Sequence, residues 1–314
     1  MVPKQKMLNL AEAPAYFERY RDIIPRFEEF LEHLKKPLPL YFRLNELKCP
    51  DPELVLQGLR RQGAQAEPVP QMPLFYKVEP RTFPLGNTEE YYLGYIYPMT
   101  LNSSLPVLAL EPQPGELILD MCAAPGSKTT QIAQLTKDQA IIVANDRRLD
   151  RLTALVANLK RLGVACALTT LYRGEEFPFG IPFDKVLVDA PCSGEGRYRQ
   201  GYEGELMYQK EGRTNLPALQ KGLLVRAFDL VRVGGIVVYS TCTINPDENE
   251  CVVDYLLRKR QGRLLSCEYP QPHHPGLTEW EGRPLHPDLV RAARFFPHET
   301  DSVGFFVAKI ERLV

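Results

Sequence analysis

Four short apolar runs, each ending at a polar residue, set the strongest limit on what this chain folds into. ELILD (Glu116–Asp120), IIVAND (Ile141–Asp146), KVLVD (Lys185–Asp189) and IVVYS (Ile236–Ser240) read as buried strands. Helical spacing fills the gaps between them. It is seen after Gly126, in the stripe Leu149, Leu152, Val156, Leu159 and Leu162 closed by Gly163, and from Pro217 to Val233. A final alternating run, VGFFVAKI, closes the chain. Strands alternating with helices predict an α/β fold whose mostly parallel sheet is covered on both faces.

The first hundred residues read differently. Tyr16, Tyr20, Ile23, Phe27, Phe30 and Leu34 recur at helical spacing, and Pro25 inside the run predicts two short helices or a kink. PLYFRLNEL alternates as a strand does, PDPELVLQGLRRQG opens and stops as a helix does, and a Pro-rich stretch runs from Glu67 to Pro84. This predicts a small α+β module over residues 1–104, with the Pro-rich stretch as its seam, followed by an α/β domain over residues 105–314.

With 314 residues the chain can bury a substantial core. Its formal charge of −1 excludes a global basic field, so a nucleic-acid partner would need a local patch. No apolar run approaches the ~20 residues of a membrane span, and the N-terminal MVPKQKMLNLAEAP lacks a signal peptide's apolar segment. The seven cysteines form no CxxC pair, which argues against a disulfide framework or zinc ribbon and for a reducing cytoplasm. No histidine stands at zinc-like spacing to them, so no metal is expected.

In such sheets ligands sit beyond the carboxyl ends of the strands, which puts four loops on one rim. The first, DMCAAPGSKTT, fails the phosphate-loop pattern because Ser127 precedes Lys128 and Cys122 stands where the first Gly belongs. A single Gly also fails the dinucleotide fingerprint; a nucleoside with a small cationic or zwitterionic tail suits the loop better. Asp146, 20 residues beyond Gly126, stands where an acid meets a ribose, or else caps the helix starting at Leu149. Cys192 in APCSGEG and Cys242 in STCTINPDENE lie just past strand ends, where a thiolate nucleophile would work; Cys49, Cys166, Cys251 and Cys267 sit in apolar patterns and read as small core residues.

DMCAAPGSKTT, VLVDAPCSGEG and YSTCTINPDENE, in that order, resemble the signature blocks of the Sun-type RNA (cytosine-5) methyltransferases. RLN at Arg43–Asn45 and the closing RFFPHETDSVGFFVAKI are similar to that family too. The resemblance implies a Rossmann-like class I methyltransferase sheet with an antiparallel last strand, and a small RNA-recognition-like sheet in the N-terminal module. It implies that Cys122, Ala123, Ala124, Pro125, Gly126, Ser127 and Lys128 wrap the methionine part of S-adenosylmethionine, that Asp146 holds the ribose, and that Arg151 and Asp189 lie beside the cofactor. One departure stands out: where the family often has DGxxF with an acid near the adenine, this chain has RGEEF with Arg173. Glu175 or Glu176 would take over, or the adenine is held differently.

The implied chemistry needs two thiols. Carbon 5 of cytosine is a poor nucleophile until a thiolate adds to carbon 6. Carried over, Cys242 attacks, Cys192 assists release, Asp189 contacts ring nitrogen 3, and Lys128 positions the base or neutralises charge. A nucleophile at the TC rather than the PC cysteine points to RNA. The implied partner is structured RNA, ribosomal or transfer, taken by a cytoplasmic monomer, with the target base drawn out of its stack. Candidates for backbone grip are Arg147, Arg148, Arg197, Arg199, the N-terminal module, and RYRQGYEGELMY (residues 197–208), which reads equally as a solvated loop. RKRQGR reads as a helix C-terminus, and Asp247, Glu248 and Glu250 resemble the family's block but read equally as first-turn acids of the helix after Pro246. A non-catalytic RNA-binding or ribosome assembly factor would be expected to have lost the nucleophile, and an amino-group methyltransferase would show a (D/N)PP(Y/F) rim.

Overall fold

The structure, a computed structural model, describes residues 12–49, 51–199 and 215–314. A small sheet comprises β1 (Leu40–Leu44), β2 (Gln65–Pro68), β3 (Phe75–Glu79) and β4 (Ile96–Pro98), all antiparallel, in the order β2-β3-β1-β4. The Pro-rich stretch is therefore no seam: it supplies β3, an inner strand. Its prolines stand at 68, 70, 73, 80 and 84, flanking the strand where no ladder N–H is lost. The helix Pro52–Arg61 packs on this sheet, with Asp51 Oδ1 accepting from Glu53 N at 2.9 Å as its cap.

The large sheet begins with β5 (Leu117–Asp120), β6 (Ile141–Asn145), β7 (Ala167–Thr170), β8 (Phe183–Asp189) and β9 (Val231–Thr241). These five are parallel, in the order β9-β8-β5-β6-β7. After them come β10 (Gly262–Leu265), β11 (His274–Pro275), the hairpin β12 (Glu279–Trp280) and β13 (Arg283–Pro284), β14 (Ala293–Phe295) and β15 (Phe305–Arg312). β15 lies antiparallel beside β9, as expected of the last strand, and carries both β14 and β10. Helices Ser127–Leu135, Leu149–Leu162, Leu216–Leu230 and Glu250–Lys259 follow β5, β6, β8 and β9. The helix expected to reach Val233 ends at Leu230 because β9 starts at Val231.

Alternate residues of the central strands feed two cores. Val186, Val188, Val237, Tyr239 and Phe306 face one side, and Leu187, Val238, Phe305 and Val307 the other. On the helix Leu149–Leu162 the buried residues are Leu155, Leu159 and Leu162, while Leu149 is exposed, so the stripe is rotated from the one expected. The helix does end at Gly163, with φ +75°. The first helical segments, Ala13–Phe17 with the turn Glu18–Tyr20 and then Phe27–Leu34, break around Pro25 as anticipated. They bury Phe17, Tyr20, Phe30 and Leu34 against the large sheet's first core, not against the small sheet. All seven cysteines are free, and among the described residues no helix is long and apolar enough to cross a membrane.

The RLN block fastens the two sheets together. Arg43 Nη2 donates to Thr130 Oγ1 at 2.9 Å, and buried Asn45 donates from Nδ2 to both Gly94 O and Leu162 O, at 2.8 and 2.9 Å. Asn45→Leu leaves two carbonyls without that donor and is expected to cost about 2–4 kcal/mol. A lowered urea midpoint at unchanged slope would show it.

Candidate active site

The register of β8 on β9 sets the site, because Asp189 pairs with Ser240 in parallel and each strand then turns into a cysteine loop. The half-buried thiols of Cys192 and Cys242 meet at Sγ–Sγ 3.3 Å. The loops are stitched by Gly196 N donating to Cys242 O at 3.0 Å and Ser193 Oγ to Thr243 Oγ1 at 2.9 Å. Charge decides which thiol is the donor. Cys242 has its pKa lowered, chiefly by the hydrogen bond from Cys192, with Arg197 and Lys128 adding favourable field against the cost of burial. Cys192 is pushed well above the ordinary thiol range by donating that bond, by burial, and by the nearby Cys242, Glu248 and Asp189. The bias favours ionisation at Cys242 and disfavours it at Cys192.

Asp189 is held at both oxygens. Lys128, in the first turn of the helix after the β5 loop, donates from Nζ to Oδ2 at 2.6 Å, and Ser240 Oγ donates to Oδ1 at 2.8 Å. Beneath them Asp120 accepts from Thr129 Oγ1 at 2.7 Å, and burial pushes its carboxyl up to about 6.

A cleft of about 460 Å³ runs from these groups along the ends of β5 and β6, lined by Cys122, Ala124, Asp146, Arg151, Glu175 and the two thiols, among others. The Ala124–Pro125 bond is cis, and Gly126 has φ +108°, where an added Cβ would stand 2.9 Å from Leu155 Cδ1. Arg151 donates to Ala124 O and stands 3.3 Å from Asp146 Oδ2, tying the loop to the end of β6. Burial pushes the Cys122 thiol well up, leaving it inert. Asp146 does not cap the following helix through its first turn; Oδ1 accepts from Arg148 N at 3.0 Å, and buried Oδ2 has no hydrogen-bond donor. Glu175 presents a second such oxygen: Oε1 is gripped by Arg173 at 2.7 Å while buried Oε2 has no donor. Glu176 points outward instead.

The structure therefore brings Cys242, Cys192, Asp189, Lys128, Cys122, Ala124, Asp146 and Arg151 to one place. Ala123, Pro125 and Ser127 shape the loop from behind: Ala123 O accepts from Gly126 N, Pro125 O from Asn158, and Ser127 O from Arg43. Arg147, Arg148 and exposed Arg197 line the cleft, and Arg148 is also paired with Asp150. Arg199 offers no grip on RNA, since its guanidinium is buried against Asp301, Lys36 O and Ser302 O. Residues 200–208 of RYRQGYEGELMY lie outside the described residues.

Glu250 does open the helix after Pro246, whereas Glu248 lies ahead of it, and both are tied to remote partners. Buried Glu248 accepts from Ser193 N at 2.9 Å and Gln220 Nε2 at 2.8 Å, and buried Glu250 pairs with Arg294 at 2.5 Å. Sequence reasoning gave no role to Ser240, Gln220 or Glu195, which brace the cysteine loops. The only signal was the position of Glu195 and Ser240 inside the quoted blocks. Among the described residues no cluster of His, Cys, Asp and Glu is arranged to hold a metal.

A family model described as 16S rRNA methyltransferase RsmB/F matches residues 107–311. The chain is 38% identical over 295 residues to the tRNA (cytosine(49)-C(5))-methyltransferase of Pyrococcus abyssi, covering 91% of this chain and 92% of that protein. It is 40% identical over 301 residues to the human 28S rRNA (cytosine(4447)-C(5))-methyltransferase, covering 93% of this chain but 37% of that longer protein. A crystal structure of a methyltransferase homolog protein from Pyrococcus horikoshii superposes with TM-score 0.82 at 33% identity, over 97% of this chain and 96% of that one.

The thiol pair yields a signed pH dependence. Removing the donor in Cys192→Ala raises the Cys242 pKa, so iodoacetamide alkylation of Cys242 slows at neutral pH and its profile shifts to higher pH. Mass spectrometry of the labelled peptide across pH 6–10 reads the shift.

Proposed function

The chain belongs to the RsmB/F methyltransferase family, and from that premise we propose that it moves the methyl group of S-adenosylmethionine to carbon 5 of a cytosine in RNA, through a covalent adduct on Cys242. The observation that carries this reading is the 3.3 Å contact between two thiols of opposite electrostatic bias, beside the Lys128–Asp189 pair.

The cleft fits that cofactor. Asp146 Oδ2, which has the Arg151 guanidinium at 3.3 Å and no hydrogen bond, suits a ribose hydroxyl, orphaned Glu175 Oε2 suits the amino group of an adenine, and the Gly126 turn lets backbone approach a methionine tail. Glu175, rather than Glu176, thus takes the place of the acid missing at Arg173. When bound, S-adenosylmethionine supplies an electrophilic methyl on sulfonium sulfur.

The Cys242 thiolate bonds to carbon 6 of the cytosine, and the electron pair released makes carbon 5 nucleophilic. Asp189, fixed by Lys128 and Ser240, meets ring nitrogen 3 through a proton shared between them, which offsets the negative charge that develops there. Lys128 then serves mainly by holding Asp189. After transfer water in the cleft takes the carbon-5 proton, the pair of that C–H bond restores the 5,6 double bond, and the carbon 6–sulfur pair returns to Cys242. Cys192, already donating to Cys242, returns a hydrogen bond to the departing thiolate and assists release. The substrate is structured RNA, ribosomal or transfer, and the protein acts as a cytoplasmic monomer. Residues 105–314 form the catalytic domain; the small sheet and Arg147 and Arg197 at the cleft grip the RNA backbone.

On a denaturing gel with S-adenosylmethionine and total RNA, Cys192→Ala is expected to accumulate a nuclease-sensitive slower band, and Cys242→Ala none. The reverse pattern would move the nucleophile to Cys192 and overturn the assignment. Glu175→Ala is expected to raise the KM for S-adenosylmethionine about tenfold while kcat changes little, as loss of a binding contact alone would do.

A further inference from the structure

We propose that the N-terminal helical segment is a working part of this active site: Tyr16 and Tyr20 fix the carboxylate of Glu195, and Glu195 is a positioning residue that keeps the Cys192 and Cys242 thiols in contact. The inference rests on the reading of the site given above.

Glu195 opens the turn Glu195–Arg197, three residues beyond Cys192. It is buried, and among the described residues no cation stands within ion-pair distance of it. Its oxygens accept instead from hydroxyls of distant origin. Tyr16 Oη donates to Oε1 at 2.6 Å, Tyr20 Oη to Oε2 at 2.9 Å, and Thr243 Oγ1 to Oε2 at 3.4 Å. Thr243 follows Cys242 directly and also accepts from Ser193, the neighbour of Cys192. One carboxylate thereby ties the segment to both cysteine loops.

The same segment reaches the Cys242 loop a second way. Arg19 bonds Asp247 at 3.3 Å and Glu281 at 3.0 Å, and lies over the rings of Tyr20 and Trp280, which themselves stack at 6.1 Å. The phenols are therefore aimed, and not merely packed. Burial, with a contribution from Glu248, pushes Glu195 up to about 7, while the two phenols and Arg19 pull it down. The charged groups facing it are Glu248 and Arg19; Tyr16 and Tyr20 are its titratable partners. Without the phenols the carboxyl rises further and is held by Thr243 alone, at 3.4 Å.

A tyrosine that only fills space tolerates loss of its hydroxyl, and this separates the two roles. The full-length chain carrying Tyr16→Phe and Tyr20→Phe together, and Glu195→Gln alone, would be compared with wild type in two assays. Methyl transfer from S-adenosylmethionine to total RNA is expected to lose about tenfold in kcat with the KM for S-adenosylmethionine within about twofold, the signature of misplaced reacting groups. Iodoacetamide labelling of Cys242 in the protein alone is expected to slow several-fold at neutral pH and to match wild type at pH 10, because the thiolate has lost its donor.

Unchanged kcat and an unchanged labelling profile would overturn the proposal and leave the segment as packing. So would a loss of kcat with a collapse in melting temperature in Glu195→Gln and in Tyr16→Phe alone, a change too small to unfold a sound core. A wild-type protein inactive on every RNA would instead refute the function on which the proposal rests, while the labelling profile still decides the clamp.

Discussion

The parallel pairing of β8 and β9, with Asp189 opposite Ser240, is the contact on which the rest of the site depends. Each strand carries its cysteine a fixed two or three residues beyond that pair, so the register sets the distance between the thiols. A slip of one residue would also send Val186 and Val188 from one core to the other, exchanging them with Leu187. The hydrophobic cores on the two faces thus protect the chemistry: the sheet cannot move the thiols apart without turning buried side chains outward. Ser240 adds a direct lock, since it is both the register partner of Asp189 and a donor to its carboxylate.

The central sheet and its rim were legible because buried parallel strands leave a plain trace, a short apolar run ending at a polar residue. Cys192, Cys242, Asp146 and the β5 loop stood out by their position at strand ends, while the roles given to them and to Asp189 rested on the family resemblance. The antiparallel edge was not legible: β10, β11 and β14 have two to four residues each, and β10 and β14 form on the ladder of β15, with β11 on β14 in turn. The Pro-rich stretch misled because prolines were counted without regard to the strand between them. Arg199 misled for a related reason, since a cation in a loop reads as solvated until its acid, Asp301, arrives from a hundred residues away. Glu195, Glu248 and Glu250 carry their meaning in partners from remote segments, which no local pattern records.

A net charge near zero also proves compatible with the cleft's composition. Arg147, Arg151 and Arg197 stand at its walls with Lys128 behind them, while Asp146, Glu175 and Asp189 point to where donors would sit. Charge is sorted over a few ångströms and cancels over the whole molecule. Such a site discriminates among the parts of one ligand, and its reach for a polyanion falls within about a Debye length, ~8–10 Å at ordinary salt.

Gly196 and Gly304 touch backbone to backbone, Gly304 N donating to Gly196 O at 2.7 Å; a Cβ on Gly196 would stand 2.3 Å from Gly304 O and 2.8 Å from Cys242 O. Three loops therefore meet at a point with no room for any side chain, and the one before β15 carries no reacting group. For anyone rebuilding this protein to accept another RNA, that junction is a hinge pin. Loops can be lengthened on either side of it, but a graft that brings even alanine to position 196 wedges the thiol pair apart from behind. The freedom to redesign the substrate is thus bounded by a contact the substrate never sees.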